Sequence, residues 1–290
     1  MIRCPQCHDT YSAEAASCAT CGFQPRMLEG VPAWAPDLAY AGGGFKPEYF
    51  AQLEQLEAGN FWFRNRSKLV VWALNRWFPA AESILEIGCG TGYVLKCIAE
   101  GGPRASLSGS EVFVAGLAFA RTRVPSARIV QMDARRIPYE QEFSVIGACD
   151  VLEHIAEDET VLRQMNRALR PGGGIIVTVP QHKWLWSPID EQACHTRRYS
   201  ACELHRKLLA AGFEILLSTS FMTLLLPLML ASRLWIRGAP DCDPIHELRV
   251  PAFTNRLFEA ILGIELLLIE RLGLRLPIGG SRLVVARKIK

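Results

Sequence analysis

Residues 83–92 read Ser-Ile-Leu-Glu-Ile-Gly-Cys-Gly-Thr-Gly, an apolar run that meets three glycines at alternate positions and is followed by a helical pattern. Glycine adopts positive φ without a Cβ penalty and lets the backbone come close to a ligand, so such a strand-to-helix turn suits a small polar cofactor. The spacing of Gly88, Gly90 and Gly92 is G-x-G-x-G, tighter than the dinucleotide pattern G-x-G-x-x-G. Glu86 stands two residues before the first glycine, inside the strand. Taken alone, the motif also allows a glycine-rich turn in another doubly wound protein.

The residues that follow narrow this. A helix from Tyr93 to Glu100 is separated by Gly101-Gly102-Pro103 from an alternating run, Ala105 to Ser110, that closes in Glu111. An acidic residue about 20 positions past the glycines, at the end of the second strand, is placed to grip ribose hydroxyls. As an isolated residue, Glu111 would read as a solvated loop glutamate. A third strand, Arg128 to Met132, ends in Asp133-Ala134; a fourth, Phe143 to Ala148, runs into Cys149-Asp-Val-Leu-Glu-His154; a fifth, Ile175 to Val179, follows Leu169-Arg-Pro-Gly-Gly-Gly174.

From about Ser83 to Pro180 this order resembles the class I S-adenosylmethionine (SAM) methyltransferases of the methyltransferase type 11 group. The resemblance implies a Rossmann-like α/β fold, a seven-stranded doubly wound sheet with an antiparallel last strand, and SAM as cofactor. It implies that Glu86, Gly88, Cys89, Gly90 and Gly92 surround the cofactor and that Glu111 holds the ribose. Asp133 and Ala134 would lie at the adenine, the carboxylate accepting from its amino group, and Asp150 would complete the pocket.

Of 290 residues half are hydrophobic, enough for one large core with an appendage, and the net charge of +3 lacks the dense basic surface of a strong nucleic-acid binder. The first stretch is cysteine-rich and polar where a signal peptide would be apolar, so the expected compartment is the cytoplasm, with peripheral contact at the inner face of the membrane left open. Ten cysteines there argue against a disulfide framework. Cys4-x-x-Cys7 and Cys18-x-x-Cys21 form two knuckles that resemble a short zinc ribbon, each able to place two thiolates on one face of a turn. Four sulfurs would close a structural Zn²⁺ site, leaving His8 a bystander. A segment of about 25 residues cannot build a sufficient core, so the metal is expected to supply most of its folding free energy. Redox-active or disulfide-bonded pairs are the alternative. Similar ribbons precede the catalytic domain in some rRNA guanine methyltransferases.

Gly30 to Pro36 and Gly42-Gly-Gly44 read as a linker, giving a ribbon over residues 1–30, a linker and accessory segment over 31–60, and a SAM-binding core over 61–220. Phe61-Trp-Phe-Arg-Asn-Arg66 opens a helix to Trp77. In related enzymes such a helix covers the cofactor, and an arginine can hold the methionine carboxylate; Arg66 and Trp62 are the candidates here, set against plain aromatic packing.

Methyl transfer needs a nucleophile aligned behind the methyl group and a base for its proton. In an open α/β sheet, ligands lie beyond the carboxyl ends of the strands, and the loops after the fourth and fifth strands both carry histidine. Asp150-x-x-Glu153-His154 resembles a segment of ubiquinone-pathway O-methyltransferases in which related residues bind a divalent metal or sit beside the acceptor; shaping the pocket and capping the next helix is the bland reading. After the fifth strand, a long loop carries His195-Thr-Arg197-Arg198-Tyr199, similar to a His-x-Arg-Arg-Tyr of the type 11 group, with Cys194 where glycine is usual. His195 is the first candidate for general base, with His154 and His182 as competitors and Glu153 beside them. Arg197 and Arg198 suit an anionic acceptor or a carboxylate of this chain such as Asp190 or Glu191.

Ser200 is a plausible cap for a helix over 201–211 ended by Gly212, and Phe213 to Ser220 reads as the sixth strand. The last core strand waits until 281–290, so 221–280 is an insertion. It opens with an apolar run broken by Pro227, too short to span a bilayer, and continues to Trp235 flanked by Arg233 and Arg237, which suits an interface. A second helix, Thr254 to Leu272, turns Leu257, Phe258, Ile261, Leu262, Leu268, Ile269 and Leu272 to one side, with Glu265 in its middle. An ion pair, or a substrate contact, is expected for Glu265. The insertion fits a lid over a hydrophobic or lipid-linked acceptor, a membrane-docking face, or a homodimer interface through 221–276. The whole therefore reads as a SAM-dependent O-methyltransferase of a hydrophobic small molecule. An RNA methyltransferase guided by the ribbon, and a SAM-binding scaffold without chemistry, are the alternatives.

Overall fold

The structure is a computed structural model that describes residues 1–40, 45–236, 245 and 248–289, with the backbone alone for 234–236. Gly42 to Gly44 of the expected linker, the Trp235 side chain and Arg237 lie outside the described residues.

Strands β1 (Ile2–Arg3) and β2 (Thr10–Tyr11) form a small hairpin. The strands β3 (Arg26–Leu28), β4 (Val31–Ala33), β5 (Ser83–Ile87), β6 (Ser106–Glu111), β7 (Arg128–Gln131), β8 (Phe143–Cys149), β9 (Leu169–Pro180), β10 (Phe213–Phe221) and β11 (Ser281–Lys288) share one sheet, in the spatial order β10-β11-β9-β8-β5-β6-β7-β4-β3. β5 to β9 pair in parallel, whereas β11 runs antiparallel between β9 and β10. This is the expected seven-stranded sheet, with strand order reversing at β5, and with the hairpin of β3 and β4 added beyond β7. Every residue of β5 is buried, as befits a central parallel strand covered on both faces. β9 begins earlier than the sequence predicts and takes Gly172 to Gly174 into the strand.

The helices are α1 (Tyr49–Glu57), α2 (Phe61–Trp77), α3 (Tyr93–Gly101), α4 (Val114–Arg123), α5 (Asp158–Ala168), α6 (Pro188–Gln192), α7 (Ala201–Ala210), α8 (Leu226–Ile236) and α9 (Ala252–Leu272). Asn60 starts α2 by accepting from the Trp62 amide at 2.8 Å, and Ser200 starts α7 by accepting from Glu203 at 3.1 Å, the cap that its sequence indicates.

Two expectations change. The segment 26–36, read as the end of the ribbon and a linker, supplies the β3–β4 hairpin. Ala33 pairs with Gln131 of β7, and the buried Gln131 side chain donates to the carbonyls of Ala35 at 2.7 Å and Val112 at 2.8 Å. The ribbon also does not stand alone. Ile2, Cys4, Tyr11 and Cys18 belong to the same apolar cluster as Leu85, Val130 and Tyr139, and the Arg3 amide donates to Pro138 O at 2.7 Å. Its small core is completed by the sheet.

The insertion divides by role. α9 packs along α2, where Leu262, Leu266 and Ile269 join Leu69, Ala73 and Leu74. Leu257 and Leu272, expected on the buried face, are exposed, because the buried stripe centres on Leu262, Glu265, Leu266 and Ile269. Among the described residues Glu265 makes neither the ion pair nor a cavity contact. Its carboxylate accepts from the amides of Thr223 at 2.8 Å and Leu224 at 2.9 Å, capping the turn into α8. Among the described residues no helix is long and apolar enough to cross a membrane.

Candidate active site

At the carboxyl ends of β5, β6, β8 and β9 lies a cavity of about 440 Å³, within the range of about 300–1,000 Å³ usual for small-molecule sites. On one side the glycine loop forms its floor. Gly88, Gly90 and Gly92 have φ of 64°, 52° and 79°, so the turn requires the conformation that glycine supplies. A Cβ on Gly88 would stand 2.4 Å from a methyl of Val151, and one on Gly92 would stand 2.9 Å from Cα of Ala120. Gly88, Cys89 and Gly90 line the cavity, whereas Gly92 seats α3 against α4.

Glu86 and Glu111 face this loop. Glu86 is buried, its Oε2 has no hydrogen-bond partner, and burial pushes its carboxyl up to about 8. A cationic group reaching that oxygen would find an uncompensated acceptor. Glu111 accepts from the Val112 amide at 2.7 Å and the Gly90 amide at 3.3 Å; burial raises its pKa. Asp133 and Ala134, assigned to the adenine by resemblance, do not line the cavity. The Asp133 carboxylate is taken by the Arg135 amide at 2.9 Å and guanidinium at 3.0 Å, which holds it in the cap of the turn after β7.

Arg66 reaches in from α2, its guanidinium 4.4 Å from the centre of the Trp62 ring, and pairs with Asp150. Asp150 has φ of 56°, unusual for a residue with a side chain, at the sharp exit from β8. The two predicted cofactor contacts thus pair with each other. Opposite the glycine loop, Phe45 and then Phe50 and Glu57 of α1 close the wall. Glu57 ties α1 down through Arg123 Nη1 at 2.7 Å, and that guanidinium also reaches Thr91 Oγ1 at 2.6 Å in the glycine loop. This wall was hidden in the segment read as linker and accessory. Its signal was the spacing of Phe50, Leu53 and Glu57 along one helical face.

The other side of the cavity is built from the loops after β8 and β9. Thr196 joins them, its amide donating to Glu153 O at 2.7 Å. The rings of His154 and His195 lie 4.8 Å apart, and ligand atoms of Glu153, His154 and His195 fall within 4.8 Å of one another. Asp150, in the sequence motif with Glu153 and His154, is outside that cluster. Glu153 is fully buried with neither carboxylate oxygen bonded; burial, then the charge of Asp150, pushes its pKa well up. Burial, reinforced by His195, holds His154 down at about 3, so its imidazole is neutral.

His195 Nδ1 lies 2.9 Å from Asp190 Oδ1, and Arg198 Nε reaches the same oxygen at 2.7 Å. Asp190 Oδ2 accepts from the Ser187 amide at 2.9 Å, which fixes the carboxylate at the start of α6. Burial opposes its charge, but His195 and Arg198 outweigh burial and hold its pKa below the usual range. With Nδ1 so engaged, Nε2 is the nitrogen left for an acceptor. Cys194 has φ of 59°, the left-handed conformation for which glycine is usual. Arg197 pairs with Asp158 at 2.8 Å, so both arginines of the motif bind carboxylates of the chain. His182 stacks on Trp184 at 4.9 Å and does not line the cavity. Apolar side chains finish this side: Ile155 and Ile189, then Met222, Met229, Ile245 and Leu248 from the insertion. α8 thus contributes Met229 to the cavity wall, whereas α9 braces α2.

At the N-terminal side, the Sγ atoms of Cys4, Cys7, Cys18 and Cys21 fall within 4.8 Å of one another, with Cys4 to Cys21 at 3.5 Å and Cys7 to Cys18 at 3.6 Å. Four thiolates at about 2.3 Å from a tetrahedral Zn²⁺ stand about 3.8 Å apart, so the set fits that ion. The knuckles repeat one turn: the His8 amide donates to Cys4 O and the Gly22 amide to Cys18 O, with φ of 66° and 73°. His8 fills the left-handed position that Gly22 fills in the other knuckle.

Residues 84–173 match the model of the methyltransferase domain family. Over that segment the chain is similar to methyltransferase domains. It is 31% identical over 160 residues to the probable S-adenosylmethionine-dependent methyltransferase of Mycolicibacterium smegmatis, covering 54% of this chain and 60% of that protein. It is 30% identical over 116 residues to the ubiquinone biosynthesis O-methyltransferase of Pseudomonas paraeruginosa, covering 38% of this chain and 49% of that one. The chain thus spans about half to three-fifths of the curated relatives it matches. Among solved structures, a chain of the complex between the Haloferax volcanii Trm112 methyltransferase activator and a methyltransferase shares the fold, with a TM-score of 0.56, 16% identity, and coverage of 84% of this chain and 95% of that one.

Proposed function

We propose that the protein transfers the methyl group of SAM to an oxygen of an apolar or lipid-linked small molecule. The observation that carries this reading is the Asp190–His195 pair, an oriented imidazole on the wall of the same cavity that holds the glycine loop and Glu86. Bound SAM supplies an electrophilic methyl group on a sulfonium. Gly88 to Gly90 and Glu111 would cradle its nucleoside, Glu86 its amino group, and Arg66 its carboxylate after exchanging Asp150 for it. As the acceptor oxygen forms its bond to carbon and the carbon–sulfur bond breaks in line, His195 Nε2 would take the hydroxyl proton, and Asp190 would stabilise the resulting imidazolium. Glu153, kept protonated by burial, could donate a hydrogen bond to the acceptor. The apolar side chains of Ile155, Ile189, Met222 and Met229 favour a hydrophobic acceptor over a polar polymer. The cysteine cluster would hold a structural Zn²⁺.

Incubation with methyl-labelled SAM and separated lipid, small-metabolite, RNA and protein fractions tests the reading. Label in the lipid or apolar metabolite fraction is expected. Label confined to RNA would replace the reading with a ribbon-guided RNA methyltransferase, and tight SAM binding without transfer to any fraction would leave a SAM-binding scaffold. Metal analysis should find about one zinc per chain, lost on Cys4→Ser with Cys21→Ser.

A further inference from the structure

α9 buries one stripe against α2 and leaves another in solvent. Phe253, Leu257, Ile264 and Leu267 are 80%, 48%, 56% and 51% exposed, and their spacing places them on a single face. From the buried side of α9, Glu265 holds the turn before α8, its carboxylate accepting from the Leu224 amide at 2.9 Å, while Thr223 Oγ1 donates to Ile278 O. Leu224 and Ile278, both about half exposed, add apolar surface on the turns that flank the helix pair. Large apolar side chains gathered in one exposed patch mark a binding surface, whereas scattered ones do not.

The charges around it select the partner. Between residues 249 and 275 every exposed charged residue is an arginine: Arg249, Arg256, Arg271 and Arg275. The three glutamates of that segment are withdrawn. Glu265 is buried, Glu270 is half-buried, and Glu259 is paired with Arg64 at 3.1 Å and Lys68 at 3.5 Å. An apolar stripe with a basic rim is the pattern of a helix lying in a membrane interface. A second copy fits less well, since an isologous two-fold contact would set the arginine rim against itself. We propose that the exposed face of α9, with Leu224 and Ile278, docks the protein on an anionic phospholipid surface. α8 connects that surface to the site: Leu228 is exposed on it, while Met229 lines the cavity. The docking gives an apolar acceptor a short route from bilayer to cavity, and in that purpose it rests on the proposed function. Binding itself requires no turnover.

Co-sedimentation of the full chain with phosphatidylcholine vesicles, with and without about one-third phosphatidylserine, tests the proposal. Binding is expected to the anionic vesicles and to weaken with salt. The triple change Leu257→Ser, Ile264→Ser and Leu267→Ser should reduce it about tenfold or more, and Arg256→Ala with Arg271→Ala should do so as well. SAM affinity, measured in the same samples, should not move; if the triple variant loses it through misfolding, the arginine pair carries the test. Equal binding to neutral and anionic vesicles, no binding to either, or a stable dimer in sedimentation velocity that the triple change disperses would each overturn the proposal. Vesicle binding without methyl transfer would leave the docking intact and remove the proposed reaction instead.

Discussion

The glycine loop after β5 and the histidine loop after β9 face each other across one cavity, yet they are fixed in different ways. The first is set by backbone shape: φ of 64° at Gly88, and no room for a Cβ beside Val151. The second is set by side chains that satisfy one another, with Asp190 shared between Ser187, His195 and Arg198. A backbone solution admits little change without loss of the turn. A side-chain network can be altered one member at a time, so the histidine loop tolerates substitutions that the glycine loop does not.

That contrast can be broken most directly at His195. His195→Asn should lower kcat by about 10²–10⁴ while leaving SAM affinity unchanged, as read by turnover with the identified acceptor and by titration calorimetry. A parallel loss of SAM affinity would merge the two halves into one unit. Gly88→Ala should act in the opposite sense, weakening SAM binding about a hundredfold or more through the enforced φ and the clash with Val151. A binding isotherm close to that of the unaltered protein would show that the loop is less rigid than its geometry indicates.

A third effect is a pH dependence. Glu86 is pushed from an ordinary 4.5 up to about 8 by burial, so between these values the native state holds more protons than the unfolded chain. Its contribution to stability is complete below about 4.5 and is lost as pH rises through about 8. Thermal unfolding without SAM should therefore show a lower Tm at the alkaline end of that window, and Glu86→Gln should flatten part of the slope. An unchanged slope in the variant would assign it to other groups. The smallest effect is expected at Cys194, whose φ of 59° suits glycine. Cys194→Gly should stabilise by up to about 1 kcal/mol, a rise in Tm of a few degrees at most; destabilisation would mean that the thiol itself contributes to the loop.

The same contrast decides what was legible in the sequence. Gly88, Gly90 and the strand before them are read directly, because a backbone conformation leaves its mark on residue type. The order β5 to β11 follows from apolar runs and breakers, including the delayed last strand at Ser281. The Asp190–His195 pair is less visible. Both residues stand in a loop recognisable as functional, but their meeting depends on the turn that Ser187 opens, and no periodicity announces it. The engagement of the Asp133 carboxylate by Arg135 is a local pairing that the resemblance does not announce. Glu265 was legible as a buried charge but not as a cap, because its partners are backbone amides, which have no sequence signature. The β3–β4 hairpin was missed because two three-residue strands flanking Gly30 are too short to show alternation.

The seating of the ribbon on the sheet also has a consequence in time. Ile2 bridges to Tyr139, and the Arg3 amide needs Pro138, so the cysteine knuckles leave the ribosome well before the surface that completes their core. At about 5–20 residues per second the interval is about 7–30 s. For that period the four thiols depend on metal alone for protection. Nascent chains arrested before residue 138 should accordingly be alkylated at Cys4 and Cys18 when zinc is withheld, whereas the finished protein should shield both.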